Sequence, residues 1–175
     1  MVTTKETIDT WLRDAHATET QAETMLRGTA GRNSDYRAFS EALIAQADKC
    51  DGNARSIEAC LILRGSNTST VKDAAAKVAA VGQTLSGMVV GDEVIKAAIA
   101  TITFARMQAA AARALVAAAT QEGDTQTTNS CGELLDSQEA FASEIDSMLP
   151  ELTTAYLMRE TDSTPNEPAT AGQTS

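Results

Sequence analysis

The residues of this chain that could do chemistry are few, and the first pair lies near the amino terminus. His16 and Glu19 are three residues apart in a segment with helical periodicity, so an imidazole and a carboxylate on one helix face could bind one metal ion together. His16 is the only histidine of the chain, and we interpret it as a surface residue beside the apolar seam of its helix. The simplest interpretation of Glu19 is that it lies at the edge of that seam and reaches water.

The three cysteines, Cys50, Cys60 and Cys131, do not have the spacing of a metal-binding motif. Cys50 and Cys60 fall in one predicted helix, too far apart along it to form a disulfide. We interpret all three as small buried residues. Redox sensing through Cys50 is the alternative, and it would need a lowered thiol pKa and access to solvent. No basic residue on the seam would lower that pKa.

The most apolar predicted helix, over residues 92–121, contains no residue of the metal-binding types after its first two positions. Between Glu93 and Glu122 the sequence has no Asp, Glu, His or Cys, and no Gly or Pro. Its apolar residues recur at spacings of three and four, which predicts a long, largely buried helix. Gly123 is expected to end it, and Asp124 to cap the next helix, so the two must be antiparallel neighbours.

Composition limits the class of protein. The 175 residues are 43% hydrophobic and 3% aromatic, with three prolines, which favours a single all-α domain. The net charge of −10 argues against nucleic acid or an anionic membrane surface as a partner. No apolar run is long enough to span a bilayer without polar interruption. The amino terminus lacks the apolar core of a signal peptide, so we expect a cytoplasmic protein.

Apolar residues at helical spacing predict four long helices, over residues 4–28, 35–63, 92–121 and 124–150. Thr3 and Glu6 form a possible capping box before the first helix. Gly28 and Gly31 are expected to end that helix, and Pro150 to end the fourth. The first and second helices, like the third and fourth, are joined by short connections, and one long connection joins the second to the third. This is the four-helix bundle with one crossover that characterises ferritin-like folds.

Two shorter helices complete the prediction. One covers residues 70–81 within the long crossover, and the other, residues 151–159, caps the bundle. Residues 1–160 are therefore expected to form one helical domain. Residues 161–175, TDSTPNEPATAGQTS, are polar and without periodicity, which predicts a disordered tail.

Four segments of the chain match a known pattern, and they are TWLRDAHATETQAETML, STVKDAAAKVAAVGQTLSGM, DEVIKAAIATITFARM and LVAAATQEGDTQT. They resemble the YciE/YciF-type ferritin-like stress proteins of bacteria, the DUF892 group, and the resemblance covers about residues 4–158. It implies a ferritin-like bundle, commonly dimeric, in a family that is linked to stress responses and often assumed to hold a di-metal site.

The resemblance also implies where the di-metal site would lie. Such sites take a Glu from each of two helices and a Glu-x-x-His from each of the other two. Glu19 matches the glutamate of the family's first helix. The other family positions are occupied here by Ala47, Cys50, Ala105, Arg106, Gln108 and Gln138. Glu139 lies beside the last of these, one step off the seam. Since the third helix offers no carboxylate or imidazole after Glu93, we expect a degenerate site with no metal and no cofactor.

A polar layer without metal is our hypothesis for this region. A buried Glu19 without partners would be costly, or it would take up a proton. We expect Gln108 and Gln138 to donate amide hydrogens to Glu19, in a layer that includes Cys50 near the middle of the bundle. Arg106 is an alternative partner, although it should point off the seam. In the other interpretation, both glutamines are partly exposed.

These residues favour a non-catalytic structural or interaction module over an enzyme, and the resemblance implies that the module is stress-associated. The alternative is a di-iron or di-manganese-binding ferritin-like oxidase or an iron-handling protein, for which Glu19, Glu23 and Glu139 are too few ligands. Redox sensing is the third hypothesis. The fourth is a bundle that binds a small apolar molecule in a cavity beside three small residues, Ala47, Ala54 and Ala105.

The third predicted helix has more apolar surface than a bundle can bury. Alanines at residues 109–112 and 117–119 lie on several of its faces, whereas a bundle supplies neighbours to about half of a helix. We therefore predict a homodimer through helix faces. Coverage by the crossover and the last helix is the alternative, and no nucleic-acid or membrane partner is expected.

Overall fold

The computed structural model describes residues 3–66 and 94–163. It contains four long helices: α1 (Thr4–Arg32), α2 (Arg37–Leu63), α3 (Val94–Glu122) and α4 (Thr125–Ser163). The closest pairs are α1 with α2 and α3 with α4, and α1 also packs on α3 and α2 on α4. Val94 lies in one core cluster with Leu26 and Phe39, so α3 begins where α1 ends and α2 begins. The second and third helices thus run in the same direction, which confirms the predicted all-α bundle and is consistent with a ferritin-like fold.

The predicted helix starts are confirmed in detail. Thr3 Oγ1 accepts a hydrogen bond from the Glu6 amide at 3.2 Å, and Glu6 Oε2 accepts one from the Thr3 amide at 2.8 Å. At the start of α4, Asp124 Oδ1 accepts from the Thr127 amide at 3.0 Å. Gly123 ends α3 with φ of +73°, a conformation that residues with a Cβ rarely adopt.

The prediction that Gly28 and Gly31 end the first helix is wrong. The helix continues to Arg32 and is capped by Asn33, whose Nδ2 donates to the Thr29 carbonyl at 2.9 Å. Thr29 and Ala30 are buried, so tertiary packing extends the helix across the two glycines, each of which costs only about 1 kcal/mol relative to alanine.

The prediction that Pro150 ends the fourth helix, with a separate short helix after it, is also wrong. A single helix continues through Pro150 to Ser163. Pro150 is exposed, whereas Leu152 is buried and Tyr156 packs against the same core cluster. Burial of these side chains offsets the hydrogen bond that proline cannot donate. The helix thus extends three residues into the segment predicted as a tail.

Two predicted features lie outside the described residues. The short helix over residues 70–81 falls in the crossover, which lies between the described ranges. Residues 164–175 of the predicted tail follow the last described residue. Both predictions stand as the sequence analysis left them.

The bundle interior consists of two apolar clusters that share no residue. One contains Ala22, Leu26, Ala47, Cys50, Ala105 and Phe141 among others. The other contains Leu12, Ile57, Ala112, Leu115 and Leu134. On each helix a polar residue lies between the members of the two clusters, and these four residues are Glu19, Asn53, Gln108 and Gln138. A polar layer therefore divides the hydrophobic core at mid-length.

Arg64, directly after α2, holds one end of the bundle together. Its side chain is 8% exposed, and it donates to Asp9 Oδ1 at 2.6 Å, Asp124 Oδ2 at 2.6 Å and Glu122 Oε2 at 3.1 Å. One guanidinium thus connects the first turns of α1, the last turn of α3 and the cap of α4. The planar fork of arginine suits several carboxylates at once.

The third helix has the length and composition of a membrane-spanning helix. The mean hydropathy of its most apolar window is 1.2, and 50% of that window is buried in the bundle. The core helix of a helical bundle has the same properties, so this is weak evidence for a membrane span.

Candidate functional site

Glu19 is the centre of the polar layer. Its side chain is almost fully buried, with 1% exposure. Oε1 accepts hydrogen bonds from Gln108 Nε2 at 2.7 Å and from Gln138 Nε2 at 3.0 Å, and Oε2 accepts one from Asn53 Nδ2 at 2.9 Å. The donors come from α3, α4 and α2, so every helix of the bundle contributes to this layer. The predicted acceptance from the two glutamines is therefore confirmed.

The alternative interpretations of the layer are wrong. Gln108 is 6% and Gln138 1% exposed, so neither glutamine is partly exposed, and Glu19 does not reach water at the edge of the seam. Arg106 is exposed and its nearest polar partner is Ser143 Oγ, at 3.4 Å. Glu19 and the two glutamines are buried because the seams of α1, α3 and α4 all face the bundle axis at this level.

Burial raises the pKa of the Glu19 carboxyl above its usual value of 4.5, and hydrogen bonds from the amides of Asn53, Gln138 and Gln108 reduce that rise. The folded chain therefore holds a proton on Glu19 at pH values where the unfolded chain has released it. As a consequence, the stability that Glu19 contributes falls as the pH rises from 4.5 through the raised pKa, and is constant above it.

We expect this titration to be visible against Glu19→Gln, which carries no proton at this position. The difference in unfolding free energy between the unaltered chain and the variant should shift against the unaltered chain as the pH rises from 4.5 through the raised pKa of Glu19. Urea denaturation at several pH values measures it, and contributions from all other carboxylates cancel in the difference. A difference independent of pH would contradict the raised pKa.

Cys50 borders the layer. Its thiol is 1% exposed and donates to the Gln46 carbonyl, with a sulfur–oxygen distance of 3.4 Å. Burial, and after it the nearby Glu19 carboxyl, raise the pKa of the Cys50 thiol far above its usual range. Burial raises the pKa of Cys131 to about 12, with Cys60 a smaller cause. A thiol that stays protonated and inaccessible is a poor nucleophile, so these surroundings argue against redox sensing.

All three thiols should therefore resist modification in the folded protein. With a disulfide reagent such as DTNB, we expect less than about 0.1 thiol per folded chain to react in minutes, because all three thiols are buried and the reagent cannot reach the sulfur atoms. The same reagent in guanidinium should modify all three cysteines. Rapid reaction of one thiol in the folded chain, lost in Cys50→Ala, would restore the redox hypothesis.

The other residues that the sequence analysis considered do not join the layer. Ala47 and Ala105 are buried in the neighbouring apolar cluster and offer no ligand atoms. Glu23 pairs with Arg27 and Glu139 with Arg113, both on the surface. His16 is half-buried, and its Nδ1 has no hydrogen-bond partner in the described part of the chain. The i, i+3 spacing of His16 and Glu19 does not produce a shared site.

These residues do not fit a di-metal centre. Glu19 supplies the one carboxylate of the layer, and both of its oxygens already accept amide hydrogens. Side-chain amide nitrogens are donors and cannot ligate a metal ion. Within residues 3–66 and 94–163, no three His, Cys, Asp or Glu side chains lie close enough to hold a metal ion together. The donor set thus favours hydrogen bonding over coordination.

Sequence reasoning missed two residues of this region. Asn53 follows Cys50 by one turn, and that i, i+3 spacing was the available signal. Gln46 precedes Cys50 by one turn and is 1% exposed, yet neither atom of its amide group has a partner in the described ranges. In the sequence, Gln46 is a long polar residue among alanines, and this pattern does not predict that it is buried.

A cavity of about 310 Å³ adjoins the layer, between α1 and α3. Its lining includes Glu19 and Gln108 and the small residues Ala111, Ala112 and Ala114. The predicted cavity beside Ala47, Ala54 and Ala105 is not this one, because those residues are packed in the core. The space arises where three alanines of α3 face α1.

Two comparisons agree with this architecture. A crystal structure of a protein from Xanthomonas campestris pv. campestris superimposes with a TM-score of 0.76 and 23% sequence identity, over 91% of this chain and 99% of that one. At that identity the likeness shows the fold alone. The model of the domain of unknown function DUF892 matches residues 3–158. Since the match covers nearly the whole helical domain, the chain belongs to the DUF892 family.

Proposed function

We propose that this protein is a non-catalytic helical scaffold or interaction module, in which a hydrogen-bonded layer occupies the place of a ferritin-like di-metal site. The observation that carries the proposal is the engagement of both Glu19 oxygens by amides from three other helices. A metal ion at Glu19 would have to displace these donors and would gain no second carboxylate. The layer therefore serves packing and specificity of the bundle.

The resemblance to YciE/YciF-type proteins supports two further parts of the proposal. The family's ligand positions coincide with Ala47, Cys50, Ala105, Gln108 and Gln138, which supports loss of an ancestral metal site. The same resemblance supports a stress-associated role. Protein levels in the source cells before and after osmotic or oxidative shock test that role, and unchanged levels would count against it.

Oxygen consumption with ferrous iron tests the non-catalytic proposal. We expect the purified protein to take up oxygen at the rate of protein-free buffer, because the layer holds one carboxylate where an oxidase needs several. Glu19→Gln is the matched control and should give the same rate. Saturable uptake above the buffer rate that is abolished in Glu19→Gln would favour the ferritin-like oxidase instead.

We also propose a homodimer through the outward face of α3. This core helix leaves Ile99 48% exposed, with the uncharged Thr103 one turn further on, and exposed apolar surface of this kind favours association. Light scattering after size-exclusion chromatography should give twice the chain mass, and Ile99→Glu should give the single-chain mass. Ile62→Glu, at an exposed isoleucine of α2, is the control and should remain dimeric. A single-chain mass for the unaltered protein would contradict the proposal.

A further inference from the structure

The cavity between α1 and α3 has the size of a ligand site. Its volume of about 310 Å³ lies within the range of small-molecule pockets, about 300–1,000 Å³. The α3 wall contains Met107, Gln108 and Leu115 together with small residues, including Ala111 and Ala114. Trp11 of α1 forms part of the opposite wall. The cavity is open to solvent at Trp11, whose side chain is 41% exposed.

The charged groups among the described residues of the lining all have one sign. Asp14 and Glu19 contribute carboxyl groups, and no Lys, Arg or His side chain of residues 3–66 and 94–163 lies in the lining. Glu19 is engaged by three amides, whereas no described side chain donates a hydrogen bond to the Asp14 carboxylate. Asp14 is half-buried, so its negative charge at the cavity mouth is less screened than one on the open surface.

Two further features favour a cation here. The face of an indole ring attracts ammonium groups, and Trp11 lies on the same wall as Asp14, three residues earlier in α1. The chain has a net charge of −10, which raises the local concentration of cations around the molecule. The alanine-lined interior suits an apolar body more than a hydrated metal ion.

We propose that this cavity binds a small organic cation, with its ammonium group at Asp14 beside Trp11 and its apolar body against the alanines of α3. The proposal goes beyond the scaffold function and does not depend on it, because Glu19 stays within its hydrogen-bonded layer. One carboxylate, one aromatic ring and an apolar wall determine the class of ligand that the cavity accepts.

Benzyltrimethylammonium and its neutral isostere neopentylbenzene are the probes. Trp11 is the only tryptophan of the chain, so its fluorescence reports occupancy of the cavity. We expect saturable quenching by the cation. Asp14→Asn should weaken binding of the cation about fivefold, as for one partly exposed ion pair, and should leave binding of the neutral isostere unchanged.

Asp136→Asn is the matched control for Asp14→Asn, and Ala110→Leu is the matched control for a second test, Ala111→Leu. Asp136→Asn removes a charge at an exposed position of α4 and should leave both affinities unchanged. Ala111→Leu fills the cavity and should weaken both probes more than about tenfold, as loss of most apolar contacts predicts. Ala110→Leu adds the same side chain at an exposed neighbour outside the lining and should have no effect.

Three outcomes would overturn the proposal. Absence of saturable quenching by the cation would show that the cavity does not take such a ligand. Equal effects of Asp14→Asn on both probes would show that charge does not select the occupant. Binding that survives Ala111→Leu would place the probe elsewhere on the protein.

Discussion

Glu19→Leu is expected to lower the free energy of unfolding by about 3 kcal/mol, because it leaves the amides of Asn53, Gln108 and Gln138 without their acceptor. Each buried donor that loses its partner costs about 1–3 kcal/mol, and apolar packing of the new side chain offsets part of the sum. For a chain of this length, the loss corresponds to a fall in Tm of roughly 6–12 °C. Thermal and urea denaturation measure it.

Three variants show whether the hydrogen bonds cause the loss. Glu19→Gln keeps a carbonyl acceptor for the two glutamine amides and should cost only about 1 kcal/mol. Glu133→Leu, at an exposed position of α4, should change stability by less than about 0.5 kcal/mol. Glu19→Leu combined with Asn53→Leu, Gln108→Leu and Gln138→Leu should recover most of the loss, since no amide is then left unpaired. If Glu19→Leu left the free energy of unfolding unchanged, the layer would contribute nothing to stability.

Arg64→Met is expected to lower the free energy of unfolding by about 2 kcal/mol, because it leaves three carboxylates without their shared partner. Asp9 is buried and keeps only Lys5, while Asp124 keeps Thr127. Removing one partner of a buried ion pair costs up to about 3–5 kcal/mol. Partial exposure of Glu122 and Asp124 reduces the cost here, because water screens their charges.

The effect of Arg64→Met should depend on pH in a defined direction. Burial alone would raise the pKa of Asp9 and Asp124, but hydrogen bonds to Asp9 from Arg64 and Lys5, and to Asp124 from Thr127 and Arg64, outweigh it and lower both. The stability from these groups is therefore present above their usual value of 3.8 and is lost as the pH falls through the lowered pKa values. The difference in unfolding free energy between the unaltered chain and Arg64→Met should therefore shrink as the pH falls below 3.8.

Arg55→Met is the matched control for Arg64→Met. Arg55 forms a surface ion pair with Asp51 within α2, and such pairs contribute about 0–1 kcal/mol. Denaturation in urea compares the two variants. Equal losses would contradict the assignment of Arg64 as the residue that connects the ends of α1, α3 and α4.

The sequence was sufficient to predict the helices and most of the polar layer. Polar residues at Glu19, Gln108 and Gln138 interrupt apolar seams of three helices, and such seams must face one another in a bundle. The sequence does not predict Asn53, because the apolar seam of α2 places Cys50 at this level of the bundle. The turn between α3 and α4 was predictable, because Gly123 ends α3 and Asp124 caps α4 and both act on residues close to them in sequence.

The remaining features depend on tertiary contacts that the sequence does not display. Arg64 lies 55 residues from Asp9 and 60 from Asp124, so no local pattern connects them. Pro150 and Gly31 are local signals for a helix end, and burial of Leu152 and Thr29 overrides them. The cavity between α1 and α3 is not predictable from the sequence, because it depends on the relative positions of Trp11 and the alanines of α3.

Metal content tests the central claim most directly, because a di-metal centre and the amide-bonded Glu19 layer exclude each other. The protein would be purified without chelators, incubated with ferrous iron in air, freed of unbound metal and measured by inductively coupled plasma mass spectrometry. We predict less than about 0.1 iron per chain, because Glu19 is a single carboxylate whose oxygens are already occupied. About two irons per chain, the content of a ferritin-like di-metal site, would contradict the account.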